Sequence, residues 1–322
     1  VKLKRTYGIN EELNVDLNIG SETGKAYWQI SGWRRYLHSG LRKYDYHLYD
    51  LGGIRGFKIS TSNTLNPTSP TTLTVGLSVT DAFDIKRTNL FDKGLTSVVS
   101  FGLSDRRLPD GSMMIDFSPA GISDWSFTRL TMEQKLERKI KLFGFRDRSF
   151  LGWIWSDSKG VPAQERFTVE GAGSAAMLQK GYLRDVSSFY GDYDLRNQYH
   201  LPGDANLRAF GNQGFVGVEK IFSNNFEAFM HKRLGPISIE VASFIDYGIL
   251  SSNPIHVEDL KDPNDHLFNN TALMDYGVGL RLSTNVFGQP LYLRIDKPID
   301  ATIDGKSLKD INEWVFSFQK AI

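Results

Sequence analysis

Residues 237 to 250 decide the fold class, and they read Ile237-Ser238-Ile239-Glu240-Val241-Ala242-Ser243-Phe244-Ile245-Asp246-Tyr247-Gly248-Ile249-Leu250. Ile237, Ile239, Val241 and Ile245 alternate with Ser238, Glu240, Ala242 and Asp246. Alternation with a period of two is typical of a β-strand with one apolar and one polar face. The stretch therefore predicts a strand whose carboxylates share one face.

The same period recurs along nearly the whole chain, separated by clusters of Gly, Pro, Asn, Asp and Ser. Examples are residues 72–80, 99–104, 275–283, 291–296 and 314–319. No run approaches the roughly 18 to 20 apolar residues that a membrane helix needs. The pattern predicts an all-β chain and excludes a helical membrane protein.

A soluble β-sandwich would show similar alternation, but two features favour a transmembrane barrel. Glu240, Arg281 and Arg294 lie opposite uninterrupted Leu, Val and Tyr residues, as expected for a wet lumen inside a lipid-facing band. Aromatic residues gather near strand ends, namely Tyr44, Tyr46, Tyr49, Trp125, Trp153 and Trp155. We therefore predict one antiparallel outer-membrane β-barrel domain over residues 1–322, with sixteen strands at about twenty residues each.

Composition removes several classes of function. Lys and Arg number 38 against 37 Asp and Glu, so no overall field attracts nucleic acid. The chain has no cysteine, and its six histidines never form the spacing of a helix-borne zinc site. We expect no cofactor, no metal and no catalytic residue, and hence no enzyme.

Segment 127–145 fits two secondary structures. Leu130, Met132 and Leu136 alternate with charged residues as in a strand, but Met132, Leu136, Ile140 and Phe143 also recur at nearly helical spacing. We predict a strand with a charged lumen face, because a helix would interrupt the barrel.

The C-terminal third has a more specific order. A loop at 201–217, rich in Gly and Pro, contains Leu207-Arg208-Ala209-Phe210, and the last five strands are predicted over 224–322. Phe244-x-Asp246-x-Gly248 lies on the second of these strands. Other turn-rich stretches at 62–71, 185–217 and 250–271 are interpreted as loops of the same domain.

This order resembles the BamA, TamA and FhaC superfamily of outer-membrane insertases and two-partner transporters. The hallmarks of the family are an infolded extracellular loop with Val-Arg-Gly-Phe/Tyr and a strand with Phe-x-Asp-x-Gly. Ala209 departs from the loop motif, whereas 244–248 match the strand motif in full. Ile54-Arg55-Gly56-Phe57 is the closer literal match to the loop motif, but no Phe-x-Asp-x-Gly strand follows it at a comparable distance, so we interpret it as a strand or turn.

The resemblance implies a structural latch, for which the candidate residues are Arg208, Phe210, Glu227, Asp246 and Gly248. Asp246 shares the parity of Glu240 and should face the lumen, where Arg208 of an infolded loop could pair with it. Glu227 is the second partner that the family implies, and Glu219 is the alternative. In the competing interpretation, Arg208 is a solvated loop residue.

The resemblance also implies a barrel that inserts or translocates polypeptides across the bacterial outer membrane. Its expected partners are outer-membrane lipid, polypeptide clients, and periplasmic or surface-exposed accessory proteins. Residues 1–322 contain no counterpart of the family's periplasmic transport-associated domains, and residues 319–322 lack the usual terminal aromatic. Two alternatives remain, a membrane anchor for a peptidase or lipase domain and a simple diffusion pore.

Overall fold

The chain is all-β in every part that the structure describes. This computed structural model describes residues 2–6, 11–19, 26–35, 42–51, 53–65, 70–84, 91–107, 109–169, 203–210, 217–251, 271–286, 289–309, 311 and 314–320. In these ranges the helical segments are two 3-10 turns, Ala163–Glu165 and Arg208–Phe210. No helix there is long and apolar enough to cross a membrane.

The strands follow one another along the chain. Their bounds are β1 Lys2–Thr6, β2 Glu11–Ile19, β3 Ala26–Arg35, β4 Arg42–Asp50, β5 Ile54–Thr64, β6 Thr71–Ala82, β7 Gly94–Asp105, β8 Asp110–Ser118, β9 Phe127–Ile140, β10 Phe143–Ser156, β11 Lys220–Leu234, β12 Ile237–Ser251, β13 Thr271–Val286, β14 Gln289–Ile303, β15 Lys306–Ser307 and β16 Val315–Lys320. They form one antiparallel sheet in chain order from β1 to β15, and β16 pairs with β14.

The chain divides into two compact units. The first consists of Val1–Met132, Ile154–Glu165 and Met177–Tyr193, and the second of Glu133–Trp153, Arg166–Ala176 and Asp194–Ile322. In the first unit, β1 to β8 pair consecutively in antiparallel register.

The first unit contains two partly buried ion pairs near the start of β9. Arg129 Nη2 lies 2.6 Å from Asp116 Oδ2, and Arg129 Nη1 lies 3.0 Å from Glu165 Oε2. Next to Glu165, the Gln164 side-chain carbonyl accepts a hydrogen bond of 2.9 Å from the backbone N–H of Asp92. These contacts hold the 3-10 turn Ala163–Glu165 against the strands of its own unit.

The second unit shows how the alternation of β12 is used. Val241, Ile245 and Ile249 are exposed, whereas Glu240 and Asp246 are buried. We call the face with Glu240 and Asp246 the inner face, and the face with Val241 and Ile245 the outer face. This arrangement reverses that of a soluble protein, and it is the pattern of a sheet with lipid outside and a polar interior.

Segment 127–145 is a strand and not a helix, as predicted. β9 ends at Ile140, however, and Lys141 adopts a left-handed turn conformation with φ of 55° before β10 begins at Phe143. Glu133 and Glu137 lie on the inner face, where they pair with Arg148 and Arg146 of β10. The predicted single strand is therefore a hairpin at its C-terminal end.

The other strand predictions need small corrections. The strands after the loop begin at Lys220 and not at 224, and the two-residue β15 adds one strand to the predicted five. Ile54-Arg55-Gly56-Phe57 begins β5, as expected for a strand segment. The number of barrel strands stays a prediction, since β16 pairs with β14 and not with β15. Residues 66–69, 170–202, 211–216 and 252–270 of the predicted loops lie outside the described residues.

Candidate functional site

A short segment, residues 203–210, packs on the inner face of the second unit. The backbone N–H groups of Ala205 and Leu207 donate to the carbonyls of Thr168 and Val169, at 3.0 and 3.2 Å. Thr168 and Asp204 are further joined by two hydrogen bonds between backbone and side chain, at 2.8 and 2.9 Å. Backbone hydrogen bonds thus join the segment to a second stretch of the same long connection between β10 and β11.

The conformation at Asn206 turns the segment towards the strands. Asn206 has a φ of 54°, in the left-handed region that asparagine tolerates better than most residues. Its carbonyl accepts a hydrogen bond of 2.9 Å from Asn225 Nδ2 of β11. Arg148 adds two contacts, since its Nη1 donates to Asn225 Oδ1 at 3.1 Å and its Nη2 to the Asp204 carbonyl at 2.7 Å.

Arg208 is the centre of the site. Its side chain is 1% exposed, and its Nη2 lies 2.7 Å from Glu227 Oε1. Its Nε lies 3.2 Å from Asp246 Oδ2 and 3.8 Å from Asp296 Oδ2. The guanidinium also lies over the ring of Phe244, with 3.8 Å from its carbon to the ring centroid. Carboxylates of three strands and one aromatic face therefore surround a single loop cation.

The backbone of the 3-10 turn contributes to the same cluster. The N–H of Arg208 donates to Asp246 Oδ2 at 3.4 Å, and the N–H of Ala209 donates to Asp275 Oδ2 at 3.2 Å. Asp246 and Asp275 face each other across β12 and β13, and both are fully buried. Burial alone would lower the pKa of Arg208, but the charges of Asp246, Glu227 and Asp296 raise it above its usual range. Arg208 is therefore permanently charged.

Each of the three fixed positions of the Phe-x-Asp-x-Gly motif has its own role. Phe244 lies beneath Arg208, and Asp246 pairs with it. A Cβ on Gly248 would lie 2.7 Å from Leu207 Cδ1, so glycine leaves the space that the loop occupies. A Cβ on Gly277 would lie 2.5 Å from Phe244 Cζ, so a second glycine gives space to the ring of the motif.

A second layer of arginines neutralises the carboxylates. Glu227 accepts from Arg281 Nη2 at 2.5 Å and from Arg294 Nη2 at 2.7 Å. Arg146 contacts Glu240 through both of its terminal nitrogens. Arg294 Nε also lies 2.5 Å from Asp296 Oδ2. A buried carboxylate is unfavourable unless it is paired, and these arginines on β10, β13 and β14 supply the pairing.

The sequence-predicted residues fall into two groups. The structure brings together Arg208, Glu227 and Asp246, and it buries Phe210 beside them at 1% exposure. Glu219 does not join them, because it lies 3.9 Å from Arg166 instead. The interpretation of Arg208 as a solvated loop residue is wrong, since the side chain is buried.

Sequence reasoning missed the roles of Asp275, Asp296, Arg146, Arg281 and Arg294. Their strands show the same alternation as β12, so parity alone places them on the inner face. The sequence does not show that the segment 203–210 packs against these inner-face residues. Within the part of the chain that the structure describes, no group of His, Asp and Glu residues could hold a metal ion.

Known structures show the same fold. The chain is similar to BamA from Haemophilus ducreyi lacking POTRA domains 1-3, with a TM-score of 0.53 and 11% identity, over 99% of this chain and 69% of that one. It is also similar to CdiB from Escherichia coli, with a TM-score of 0.50 and 13% identity, over 95% of this chain. The chain spans only 55% of the length of CdiB. No family model matches, and no curated protein matches by sequence.

These similarities define the class of the fold, an antiparallel β-barrel of the type seen in BamA and CdiB. The all-β, antiparallel fold that the sequence resemblance implied is therefore confirmed, whereas closure of the barrel and the count of sixteen strands stay predictions.

Proposed function

We propose that this chain is a bacterial outer-membrane barrel that inserts or translocates polypeptides, and that the loop 201–217 is its internal latch. The latch residues are Arg208, Phe210, Glu227, Asp246 and Gly248. The proposal involves no covalent chemistry and no cofactor. Its partners are outer-membrane lipid, polypeptide clients, and periplasmic or surface-exposed accessory proteins.

One observation carries the proposal: the loop cation is buried among carboxylates of β11, β12 and β14, and β12 bears the matched motif. A loop of a simple pore could remain solvated at the pore mouth, whereas Arg208 is 1% exposed and contacts Glu227 and Asp246. In this proposal the loop has a paired state, which the contacts describe, and a released state that is reached when these few ion pairs break. The similarity in fold to BamA and CdiB supports the same assignment.

The test uses the purified chain in vesicles of phosphatidylethanolamine and phosphatidylglycerol. One readout is the rate at which a urea-unfolded, eight-stranded outer-membrane barrel becomes protease-resistant in these vesicles. The other is protease protection of an unfolded secreted polypeptide that enters the vesicle. We expect the chain to accelerate at least one of these processes by tenfold or more relative to vesicles with a porin.

Planar-bilayer conductance separates the alternatives. We expect a small conductance that Arg208→Ala increases, because the released loop no longer fills the interior. A large steady conductance of the unmodified chain without either polypeptide activity would identify a diffusion pore. Absence of conductance and of both activities would instead favour a membrane anchor.

A further inference from the structure

Three polar side chains lie on the outer face of β10 and β11. Asn224 Nδ2 donates hydrogen bonds to Asp147 Oδ1 at 2.9 Å and to Ser149 Oγ at 3.0 Å. Across the described ranges, no basic side chain forms an ion pair with Asp147. The site therefore combines a carboxylate, a hydroxyl and an amide without a cation.

The parity of both strands fixes the orientation of these side chains. Arg146 and Arg148 point to the inner face, where they pair with Glu240 and Glu133. Asp147 lies between them and so points outward. Asn225 bonds the loop on the inner face, so its neighbour Asn224 points outward as well.

Apolar and aromatic residues frame the site on both sides along the strands. Phe145 and Phe226 stack with their centroids 6.3 Å apart on one side. On the other side, Phe222 and Trp153 are exposed on the outer face at 39% and 37%. Along β10 and β11, Asp147, Ser149 and Asn224 thus form a polar island between aromatic residues.

Two lysines mark the expected depth of this island. Lys220 Nζ lies 4.7 Å from the ring centroid of Trp153, the arrangement of an aromatic and basic membrane boundary. Lys232 is exposed near the other end of β11. At a rise of about 3.4 Å per residue and a tilt of about 45°, the chain between these lysines spans about 29 Å, close to the hydrocarbon thickness of about 30 Å. Phe226, which pairs with Asp147, lies midway between them.

An ionisable side chain at this depth is unfavourable in lipid, and in membrane proteins such groups pair with one another or mark binding sites. Within the described residues, Asp147 Oδ2 and Asn224 Oδ1 receive no hydrogen bond, so both oxygens can accept from a ligand. Two adjacent acceptors with one negative charge match a lysine ammonium or an arginine guanidinium.

We propose that Asp147, Ser149 and Asn224 form a docking site within the membrane for a transmembrane segment that presents a lysine or arginine at mid-depth. The segment belongs to a partner protein and not to a second copy of this chain. The inference depends on the proposed function only in that the chain spans a bilayer. It requires neither client insertion nor the loop at 203–210.

The probe is a synthetic transmembrane helix of about twenty Leu and Ala residues with tryptophan at both ends and one central lysine. A matched peptide has leucine at the centre. Energy transfer between the labelled chain and each labelled peptide measures binding in phosphatidylcholine vesicles, where lipid charge contributes nothing. The measurement uses only chain whose insertion is established by its sheet spectrum and protease protection, so a failure to span the bilayer is seen separately.

We expect the lysine peptide to bind about tenfold more tightly than the leucine peptide. Asp147→Asn keeps the shape and the hydrogen bond but removes the charge, and it should reduce the preference to within about twofold. Asp110→Asn, at an exposed carboxylate, should leave the preference unchanged. Equal binding of the two peptides would overturn the proposal, as would a preference that survives Asp147→Asn. Self-association of the chain that Asp147→Asn abolishes would also overturn it, because the occupant would then be a second copy.

Discussion

Nη2 of Arg208 lies 2.7 Å from Oε1 of Glu227, which joins a 3-10 turn of the loop to the inner face of β11. Glu227 is also the residue on which Arg281 and Arg294 converge. The loop cation is therefore one of several arginines that share a single buried carboxylate. The loop and the strands β11, β13 and β14 therefore meet at the same charge.

Glu227 and Glu219 provide a test with a matched control. Glu227→Gln should expose the loop 201–217 to protease, because it removes the charge that Arg208, Arg281 and Arg294 share. Glu219→Gln should have little effect, because Glu219 lies 3.9 Å from Arg166 and does not contact Arg208. The rate of proteolytic cleavage within 201–217 measures the effect of each substitution. Equal rates in the two variants would count against the pairing described.

Arg208→Lys tests geometry at constant charge. Lysine has a single ammonium, so it cannot reach Glu227 and Asp246 with separate nitrogens while its charge lies flat over Phe244. We expect a rate of loop cleavage between those of the unmodified chain and Arg208→Ala. If lysine restored full protection, charge alone would hold the loop and the arrangement over Phe244 would be irrelevant.

Gly248→Ala tests the steric part of the motif without changing any charge. The added methyl would lie 2.7 Å from Leu207 Cδ1, and Leu207 is fully buried. Overpacking of this kind costs about 1–3 kcal/mol, so the loop should be cleaved faster. Gly76→Ala is the control, because its Cβ would find its nearest neighbour at 3.4 Å. Unchanged protection in Gly248→Ala would mean that Leu207 does not need this space.

Single cysteines along β9 test the assignment of its faces. Cysteines at 133, 135 and 137 should react with a polar maleimide, whereas those at 132, 136 and 140 should be protected by lipid. The ion pairs of Glu133 and Glu137 with Arg148 and Arg146 place the first set on the inner face. Reactivity that recurs every three to four residues would contradict a strand.

The sequence predicts the strands and their faces well because both depend on local alternation. The parity of Asp246 follows from that of Glu240, and the same rule applies to Asp275 and Asp296. The rule cannot distinguish Glu219 from Glu227, which have the same parity on the same chain segment. The position of the loop along the strands decides which of the two glutamates Arg208 contacts. That position depends on long-range contacts such as those of Asn206 with Asn225 and of Leu207 with Val169. The latch function itself stays a proposal.

The most direct measurement of the central claim is protease access to the loop 201–217 in Arg208→Ala, Asp246→Ala and the double variant. Loss of one partner leaves the other charge buried, which costs about 3–5 kcal/mol at a fully buried site. An unchanged sheet spectrum serves as the control for folding. We predict faster cleavage in each single variant and little further increase in the double variant, because one interaction is lost only once. Additive effects of the two substitutions would contradict the account.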